Sequence, residues 1–429
     1  MPWLVAATVF AFACGSSSVA SVTHAGHTAR WVLLVLLLAA AAARARLRRR
    51  LPTPSAAAAA AVAFVGLALV SAAWSVSPRL SAERAVSLGI LFATALLLPA
   101  AEDRPARLLA GLAGGAAAVA IAGLVVLAAD HAAAVQAASI ESPARYRGLG
   151  QDPNTASLLF ALALPLSLGL TAAATSVRAR AASALAAALF VGSIVASGSR
   201  GALFAGGAGA LVFVVARHAR LRRAVAPAAV VAAAVVAGLL VQNLPKALAH
   251  STGPPSAPPP AAQVKAQHGY LNAEATYPLN ADIGAPLPGG GQPSITRGFF
   301  GGSGRGEAWT GTLHQILQRP LLGFGFGTES AVFVDRYYYF VGGSPEDSYL
   351  GISLQLGVLG LVLLVALFAS LAWPARRALR NDVAAACAAA VAAGLALAVV
   401  QSYVYSVGNI GTATLWICAF LLPVMPRVR

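Results

Sequence analysis

Long apolar runs separated by short polar segments make up most of the chain. A run of about 17 to 25 apolar residues can cross the roughly 30 Å hydrocarbon layer of a bilayer. The pattern predicts an all-α integral membrane protein with about 12 transmembrane helices. The predicted spans are residues 2–22, 31–45, 55–75, 84–101, 107–129, 154–174, 183–198, 201–216, 224–242, 349–372, 383–403 and 411–426. The first run has no basic residue before it, so we expect a retained span rather than a cleaved signal peptide.

The same pattern divides the chain into three parts. Residues 1–241 carry helices 1–9, residues 242–348 form a large extracytoplasmic loop, and residues 349–429 carry helices 10–12. The first part of the loop, residues 251–300, is rich in Pro and Gly, which is typical of a flexible tether.

The later part of the loop, residues 303–320, is predicted to be helical. An amphipathic helix runs from about Arg305 to Gln318, and Pro320 terminates it. Trp309 on its apolar face would lie at the outer membrane surface. The GFGFG segment that follows is predicted to be a turn, because the Gly-Lys-Ser/Thr sequence of a nucleotide-binding loop does not come after it.

Charge is unevenly distributed along the chain. Only 10% of the residues are charged, and 30 Lys plus Arg stand against 14 Asp plus Glu, giving a net charge of +16. Most arginines of the short connections lie in alternate ones, which the positive-inside rule assigns to the cytoplasm. We therefore predict a multi-pass protein of a bacterial cytoplasmic membrane with both termini cytoplasmic, and we expect membrane lipids rather than nucleic acid as the partner of the basic residues.

Several classes of site are disfavoured. No Asp, Glu or Lys lies in the middle of a predicted span, where ion-coupled transporters usually keep such a group. The three cysteines, Cys14, Cys387 and Cys418, all lie in apolar runs. Neither a disulfide framework nor a zinc site is expected, and we predict no metal and no other cofactor.

Further arginines lie in the connections that the alternation places on the outer side of the membrane. Arg145 and Arg147 precede the sixth span, where Asn154 is the predicted helix cap after Pro153. Arg200 lies in a tight turn between the seventh and eighth spans, and Arg305 opens the loop helix. Because a guanidinium pairs bidentately with phosphate oxygens and keeps its charge, such residues suit a diphosphate. The alternative is that they anchor the protein to lipid headgroups.

Two carboxylates mark the start of the tenth span. Glu346 and Asp347 lie next to Tyr349 at the expected membrane surface. They could cap the helix and interact with its N-terminal dipole. Alternatively, one of them could act as general base on a sugar hydroxyl.

Five segments together resemble a known family. They are AWSVSPRLS, RGLGQDPNTAS, SGSRGALFAG, GRGEAWTGTLHQILQRPLLGFGFG and PEDSYLGISLQLGVLGL. In this order they resemble the O-antigen ligase and O-antigen polymerase superfamily of bacterial polytopic membrane glycosyltransferases, over roughly residues 70–370. The resemblance implies a metal-independent glycosyltransferase of cell-surface or exopolysaccharide assembly. Such an enzyme takes a glycan from an undecaprenyl diphosphate carrier and passes it to a glycan or lipid acceptor at the outer face of the membrane.

The resemblance also implies roles for particular residues. Arg200 and Arg305 correspond to the arginines thought to hold the carrier diphosphate, and Arg147 is expected to help them. The family histidine proposed as base for the acceptor hydroxyl corresponds to Glu346, so Glu346 or Asp347 is the expected base. The predicted supporting residues are Asn154, Trp309 and Tyr349.

Alternative functions remain open at this level. The chain could be a transporter or flippase of lipid-linked oligosaccharides, which could also hold a diphosphate with arginines. It could instead be a non-catalytic relative that only binds the carrier. The motifs do not distinguish a ligase from a polymerase.

Overall fold

The computed structural model describes residues 1–50, 55–137, 144–217, 305–332, 344–379 and 381–424. Eight helices in these ranges are long and apolar enough to cross a membrane. The prediction of an all-α integral membrane protein is therefore confirmed. The predicted ninth span at 224–242 and the Pro/Gly-rich segment at 251–300 lie outside the described residues.

Helices follow one another along the chain with short connections. The described helices are α1 (Pro2–Cys14), α2 (Ala20–Leu47), α3 (Ala56–Val70), α4 (Pro78–Ala101), α5 (Pro105–Ala129), α6 (His131–Ala134), α7 (Pro153–Ala173), α8 (Val177–Ser197), α9 (Arg200–Arg217), α10 (Arg305–Ile316), α11 (Glu329–Val332), α12 (Ser348–Ala378), α13 (Asp382–Ala398) and α14 (Thr412–Leu421). Short 3-10 turns at Ser71–Ala73 and Leu422–Val424 extend α3 and α14. Two short strands, β1 (Val135–Gln136) and β2 (Arg145–Tyr146), pair antiparallel with Val135 opposite Tyr146.

Several helix ends differ from the predicted spans. α2 begins at Ala20 instead of residue 31, and α4 begins at Pro78 instead of residue 84. Proline is well suited to the first turn of a helix, since its missing N–H would have had no partner there. As a consequence, Arg30 and Arg84 lie inside helices. In the predicted spans, Arg30 directly precedes the second span and Arg84 is the first residue of the fourth. The amphipathic helix α10 ends at Ile316, two residues before the predicted end.

One end of the bundle is held together by ion pairs. The arginines at the end of α2 pair with acidic residues between α4 and α5: Arg48 Nη1 lies 2.8 Å from Asp103 Oδ2 and Arg44 Nη1 lies 3.9 Å from Glu102 Oε2. These are the connections that the charge pattern assigned to the cytoplasm.

Several other connections meet at the opposite end of the bundle. Ser17 pairs with Gly150 through a β-bridge, and Ser18 Oγ donates to the Ala133 carbonyl at 3.0 Å. Ser348 Oγ donates to the Gln401 carbonyl at 2.6 Å. The structure therefore sorts the described connections into the same two groups as the alternation predicted from the sequence.

Helix α12 is broken at Gly357, whose φ of 64° and ψ of −162° are not helical. The break leaves backbone groups without partners inside the helix. Phe324 N–H donates to the Leu354 carbonyl at 3.0 Å, and Val358 N–H donates to the Pro320 carbonyl at 2.8 Å. Non-helical backbone is tolerated in a membrane protein where other protein groups satisfy it in this way.

The core of the bundle contains an aromatic cluster. The ring centroid of Trp416 lies 4.6 Å from that of Phe92 and 5.0 Å from that of Phe368. The cluster joins α14 to α4 and α12.

Candidate functional site

The GFGFG segment is a turn, as predicted, and its glycines are needed for its path. Gly323, Gly325 and Gly327 have φ values of 64°, 104° and 77°, which side-chain-bearing residues rarely adopt. A Cβ atom on Gly325 would lie 2.7 Å from the Ser75 Cα atom. The segment is therefore in direct contact with the connection between α3 and α4.

Hydrogen bonds hold this segment between two parts of the bundle. On one side Trp74 Nε1 donates to the Leu322 carbonyl at 3.0 Å, and Phe326 N–H donates to Ser71 Oγ at 2.9 Å. On the other side Gly327 N–H donates to Gln355 Oε1 at 2.6 Å, next to the break in α12. Because both sides are fixed, the position of α11, which starts two residues later, is fixed as well.

Glu329, the first residue of α11, is a buried carboxylate with three hydrogen-bond donors. It is only 7% exposed. Ser402 Oγ donates to its Oε1 atom at 2.8 Å. Tyr405 Oη donates to its Oε2 atom at 2.8 Å, and Gln355 Nε2 donates to the same atom at 3.4 Å. These contacts connect α11 to α12 and to the 399–411 connection.

Two arginines reach the same region from the N-terminal helices. Arg84 of α4 donates through Nη1 to the Gly327 carbonyl. Arg30 of α2 donates through Nη1 to the Gly408 carbonyl at 3.3 Å, and its guanidinium carbon lies 5.3 Å from the centroid of the Trp31 ring. The Nε atom of Arg30 is buried and has no hydrogen-bond partner within the described part of the chain.

These groups line a cavity of about 650 Å³, whose lining includes Arg30, Arg84, Glu329, Gln355, Ser402 and Tyr405. This volume is within the range of about 300–1,000 Å³ that is usual for small-molecule sites. Arg84 and Glu83 on its rim are exposed, so the cavity is open to the surface. The lining carries two guanidinium groups and two carboxylates, and one of the carboxylates, Glu83 on the rim, is paired with Arg79. This arrangement suits an anionic ligand that also carries hydroxyl groups. Within the described ranges no group of three or more His, Cys, Asp or Glu could hold a metal ion.

Burial raises the pKa of Glu329 from its ordinary value of 4.5 to about 7. The hydrogen bonds from Ser402 and Tyr405 and the charge of Arg84 lower this pKa, whereas the charge of Asp347 raises it further. A carboxyl group with a pKa near 7 is present in both protonation states at neutral pH. It can therefore accept and release a proton under these conditions.

Asp347 caps α12. Its Oδ1 atom accepts from the N–H groups of Tyr349 at 2.7 Å and Leu350 at 2.9 Å. Its own N–H donates to Ser402 Oγ at 3.1 Å, so Asp347 and Glu329 share one hydroxyl group. The capping role is confirmed, and the catalytic role of Asp347 remains a prediction.

The neighbours of Asp347 are held in place by backbone and side-chain contacts. Glu346 has a φ of 49° and is half-buried. Tyr349 Oη donates to the Leu395 carbonyl at 3.1 Å. Trp309 Nε1 donates to the Pro345 carbonyl at 3.0 Å, which joins α10, beginning at Arg305, to the residue before Glu346. The role of Glu346 as base and the interfacial placement of Trp309 are still predictions.

The arginines before α7 mainly bind backbone carbonyls. Arg145 is buried and donates through Nε to the Ser197 carbonyl at 2.7 Å and through Nη2 to Asn154 Oδ1 at 2.9 Å. Arg147 donates to the carbonyls of Ala133 at 2.9 Å and Ala132 at 3.1 Å. Burial lowers the pKa of Arg147. Both side chains therefore stabilise the described residues of the connection before α7, 130–137 and 144–152.

The predicted helix cap at Asn154 is wrong, because the cap of α7 is Asp152. Asp152 Oδ1 accepts from the N–H groups of Asn154 at 2.7 Å and Thr155 at 3.1 Å. Pro153 occupies the first helical position, so the residue before it is the one whose side chain faces the free N–H groups. Asn154 instead orients Arg145.

Arg200 is the first residue of α9 and is half-buried. At the next position, a Cβ atom on Gly201 would lie 2.7 Å from Val400 Cγ2. The start of α9 therefore packs against the connection that carries Ser402. Arg200 thus lies on the same end of the bundle as the cavity.

Comparison with known protein families supplies the identification. The family model described as O-antigen ligase matches residues 185–365. This match places the segment in the O-antigen ligase superfamily. No curated protein matches the sequence significantly. Together with the membrane-length helices, the match supports a multi-pass membrane protein with a glycan-handling function of the O-antigen ligase type. Three of the five segments that carry the resemblance lie within the matched residues.

The O-antigen ligase segment supplies only part of the cavity. Glu329 and Gln355 lie within it, whereas Arg30, Arg84 and Ser402 lie outside it. No sequence pattern predicts any of these five as a site residue. Two of them were close to recognised segments, since Glu329 follows GFGFG by two residues and Arg84 follows AWSVSPRLS by three.

Proposed function

We propose that this protein transfers a glycan from an undecaprenyl diphosphate carrier to an acceptor hydroxyl at the outer face of a bacterial cytoplasmic membrane. The observation that supports this most strongly is the cavity in which Arg30 and Arg84 lie beside Glu329. The end of the bundle that carries the cavity is extracytoplasmic in this proposal, because the arginine-rich connections lie at the other end.

The arginines act on the leaving group. Cleavage of the bond between the sugar and the diphosphate places negative charge on the diphosphate oxygens, and fixed cations stabilise that charge as it develops. The buried Nε atom of Arg30 is a donor that a bound phosphate oxygen would satisfy. Arg84 supplies a second guanidinium from the facing helix.

Arg200 and Arg305 contribute to the same carrier site in this proposal, although the Arg305 side chain lies outside the part of the chain that the structure describes. The start of α9 packs on the 399–411 connection, and α10 is joined to the residues before α12 through Trp309. Arg147 acts indirectly, because its guanidinium donates to two backbone carbonyls. It orders the 130–152 connection next to the carrier.

Binding of undecaprenyl diphosphate to the purified full-length protein tests the role of the cavity arginines. We expect Arg84→Gln to weaken binding roughly 10- to 100-fold, because a hydrogen bond to a charged group contributes about 1.5–3 kcal/mol. Arg84→Lys should recover part of the affinity. Arg79→Gln is the matched control on the same helix, because the Arg79 side chain is 92% exposed and pairs with Glu83 at 2.8 Å.

Two results would contradict the proposal. Unchanged binding in the Arg30→Gln, Arg84→Gln double variant would show that the cavity does not hold the carrier diphosphate. Proteoliposomes test the transporter alternative: movement of a lipid-linked glycan across the bilayer without release of undecaprenyl diphosphate would favour a transporter over a transferase.

A further inference from the structure

We propose that Glu329 is the catalytic base that accepts the proton of the acceptor hydroxyl. This inference rests on the proposed glycan transfer. It assigns the base to a residue outside the PEDSYL segment, in which Glu346 occupies the position of the family histidine.

Glu329 is placed where a base for the acceptor would have to be. Glu329 lines the cavity together with Arg30 and Arg84, so an acceptor hydroxyl bound there would lie close to the leaving diphosphate. Glu346 and Asp347, both described by the structure, are not among the residues that line it. Asp347 also uses its carboxylate to cap α12.

Glu83, the other carboxylate of the cavity, is not placed to act as the base. It lies on the rim, its side chain is 58% exposed, and it pairs with Arg79 at 2.8 Å. Its carboxylate is therefore already engaged by Arg79 and by solvent. Glu329 is buried and receives hydrogen bonds from neutral groups, namely two hydroxyls and one amide.

The surroundings of Glu329 also suit a general base. Among the described residues, the charged or titratable groups that face Glu329 are Arg84 from α4, Tyr405 from the 399–411 connection and Asp347 from the start of α12. Burial outweighs the stabilising effects of Arg84 and the hydroxyls and raises the pKa of Glu329 to about 7. A general base is most effective when its pKa is close to the working pH.

The acceptor O–H bond breaks and its proton passes to a Glu329 carboxylate oxygen, while the acceptor oxygen forms a bond to the anomeric carbon. The bond from that carbon to the phosphate oxygen breaks, and its electron pair leaves on undecaprenyl diphosphate. A single displacement inverts the anomeric centre, and the proton on Glu329 then passes to water.

Release of undecaprenyl diphosphate is the readout, because it does not require the sugar to be known. The wild type and its variants are reconstituted in proteoliposomes with the total undecaprenyl-diphosphate-linked glycan fraction of the source bacterium and, as acceptor, its total envelope glycan and lipid fraction. We expect Glu329→Gln to lower the release rate at least about 100-fold and to leave binding of undecaprenyl diphosphate within about threefold of wild type. The Ser402 and Tyr405 hydroxyls can donate or accept, so the isosteric amide should keep its contacts.

Glu102→Gln is the matched control. Glu102 is also a buried glutamate, 5% exposed, and has ionic partners in Arg44 and Arg107. Glu102 lies at the other end of the bundle. We therefore expect the Glu102→Gln variant to release undecaprenyl diphosphate at a rate within about threefold of wild type.

The pH profile separates a catalytic role from a structural one. We expect release by the wild type to rise with pH through about 7 as Glu329 loses its proton. Ser402→Ala removes a hydrogen bond that lowers the pKa of Glu329. The increase of the release rate with pH should therefore occur at higher pH in this variant, and the variant should be active above that pH. This variant also keeps the test valid if Glu329→Gln does not fold.

The outcomes distinguish the two proposals. If Glu346→Gln abolishes release while Glu329→Gln retains it, or if Ser402→Ala leaves the pH profile unchanged, Glu329 is not the base and glycan transfer still stands. If the wild type neither binds nor releases undecaprenyl diphosphate, the proposed function fails first.

Discussion

The buried carboxyl group of Glu329 is expected to make the stability of the protein depend on pH. A carboxyl group whose pKa is raised on folding stabilises the folded state below its ordinary pKa of 4.5. This contribution is lost as the pH rises through about 7. Glu329→Gln removes the ionisation and keeps the shape of the side chain. We therefore expect the variant to be more stable than the wild type above neutral pH.

The magnitude follows from the two pKa values. Relative to an uncharged side chain, the ionisable carboxyl group lowers the free energy of unfolding by about 3 kcal/mol at pH 8 and by about 1 kcal/mol at pH 5. The difference in free energy of unfolding between Glu329→Gln and the wild type should therefore increase by about 2 kcal/mol from pH 5 to pH 8.

Apparent thermal unfolding midpoints of the detergent-solubilised protein at pH 5 and pH 8 test this reasoning. Glu102→Gln is the control at pH 8, where the loss of its ion pairs to Arg44 and Arg107 should lower the midpoint instead of raising it. A difference between Glu329→Gln and the wild type that is the same at pH 5 and pH 8 would refute the argument, because it would mean that burial does not perturb the ionisation of Glu329.

Two further predictions concern the backbone around the site. Gly325→Ala should destabilise the protein by about 2 kcal/mol or more, because φ is 104° and a Cβ atom would lie 2.7 Å from Ser75 Cα. Gly207 of α9 has open space where a Cβ atom would lie, so Gly207→Ala should not lower the stability. Equal melting temperatures for the two variants would contradict the expected backbone strain at Gly325. Asp347→Asn should keep the cap of α12, whereas Asp347→Ala should lower the unfolding free energy by about 1 kcal/mol. Circular dichroism melts of both variants check this, and equal losses would show that the charge matters more than the cap.

The site was only partly predictable, and the reason is the distance along the chain between its parts. Arg84, Glu329 and Ser402 come from three widely separated segments, and none of them has a distinctive local pattern. Glu329 was close to the GFGFG segment, but its burial depends on Ser402 and Tyr405 packing over it. A glutamate after a glycine turn is common in sequences. Only the residues that surround Glu329 in the folded protein make it a buried carboxylate with a raised pKa.

Properties that depend on local composition were correctly predicted from the sequence. Apolar length and the alternation of arginine-rich connections indicated the all-α membrane fold and the two sets of connections, because the bilayer acts on each segment separately. The break of α12 at Gly357, the extension of α2 past Arg30 and the cavity around Glu329 were decided by the tertiary structure. Each depends on hydrogen bonds and burial supplied by a distant segment, and no single segment encodes those partners.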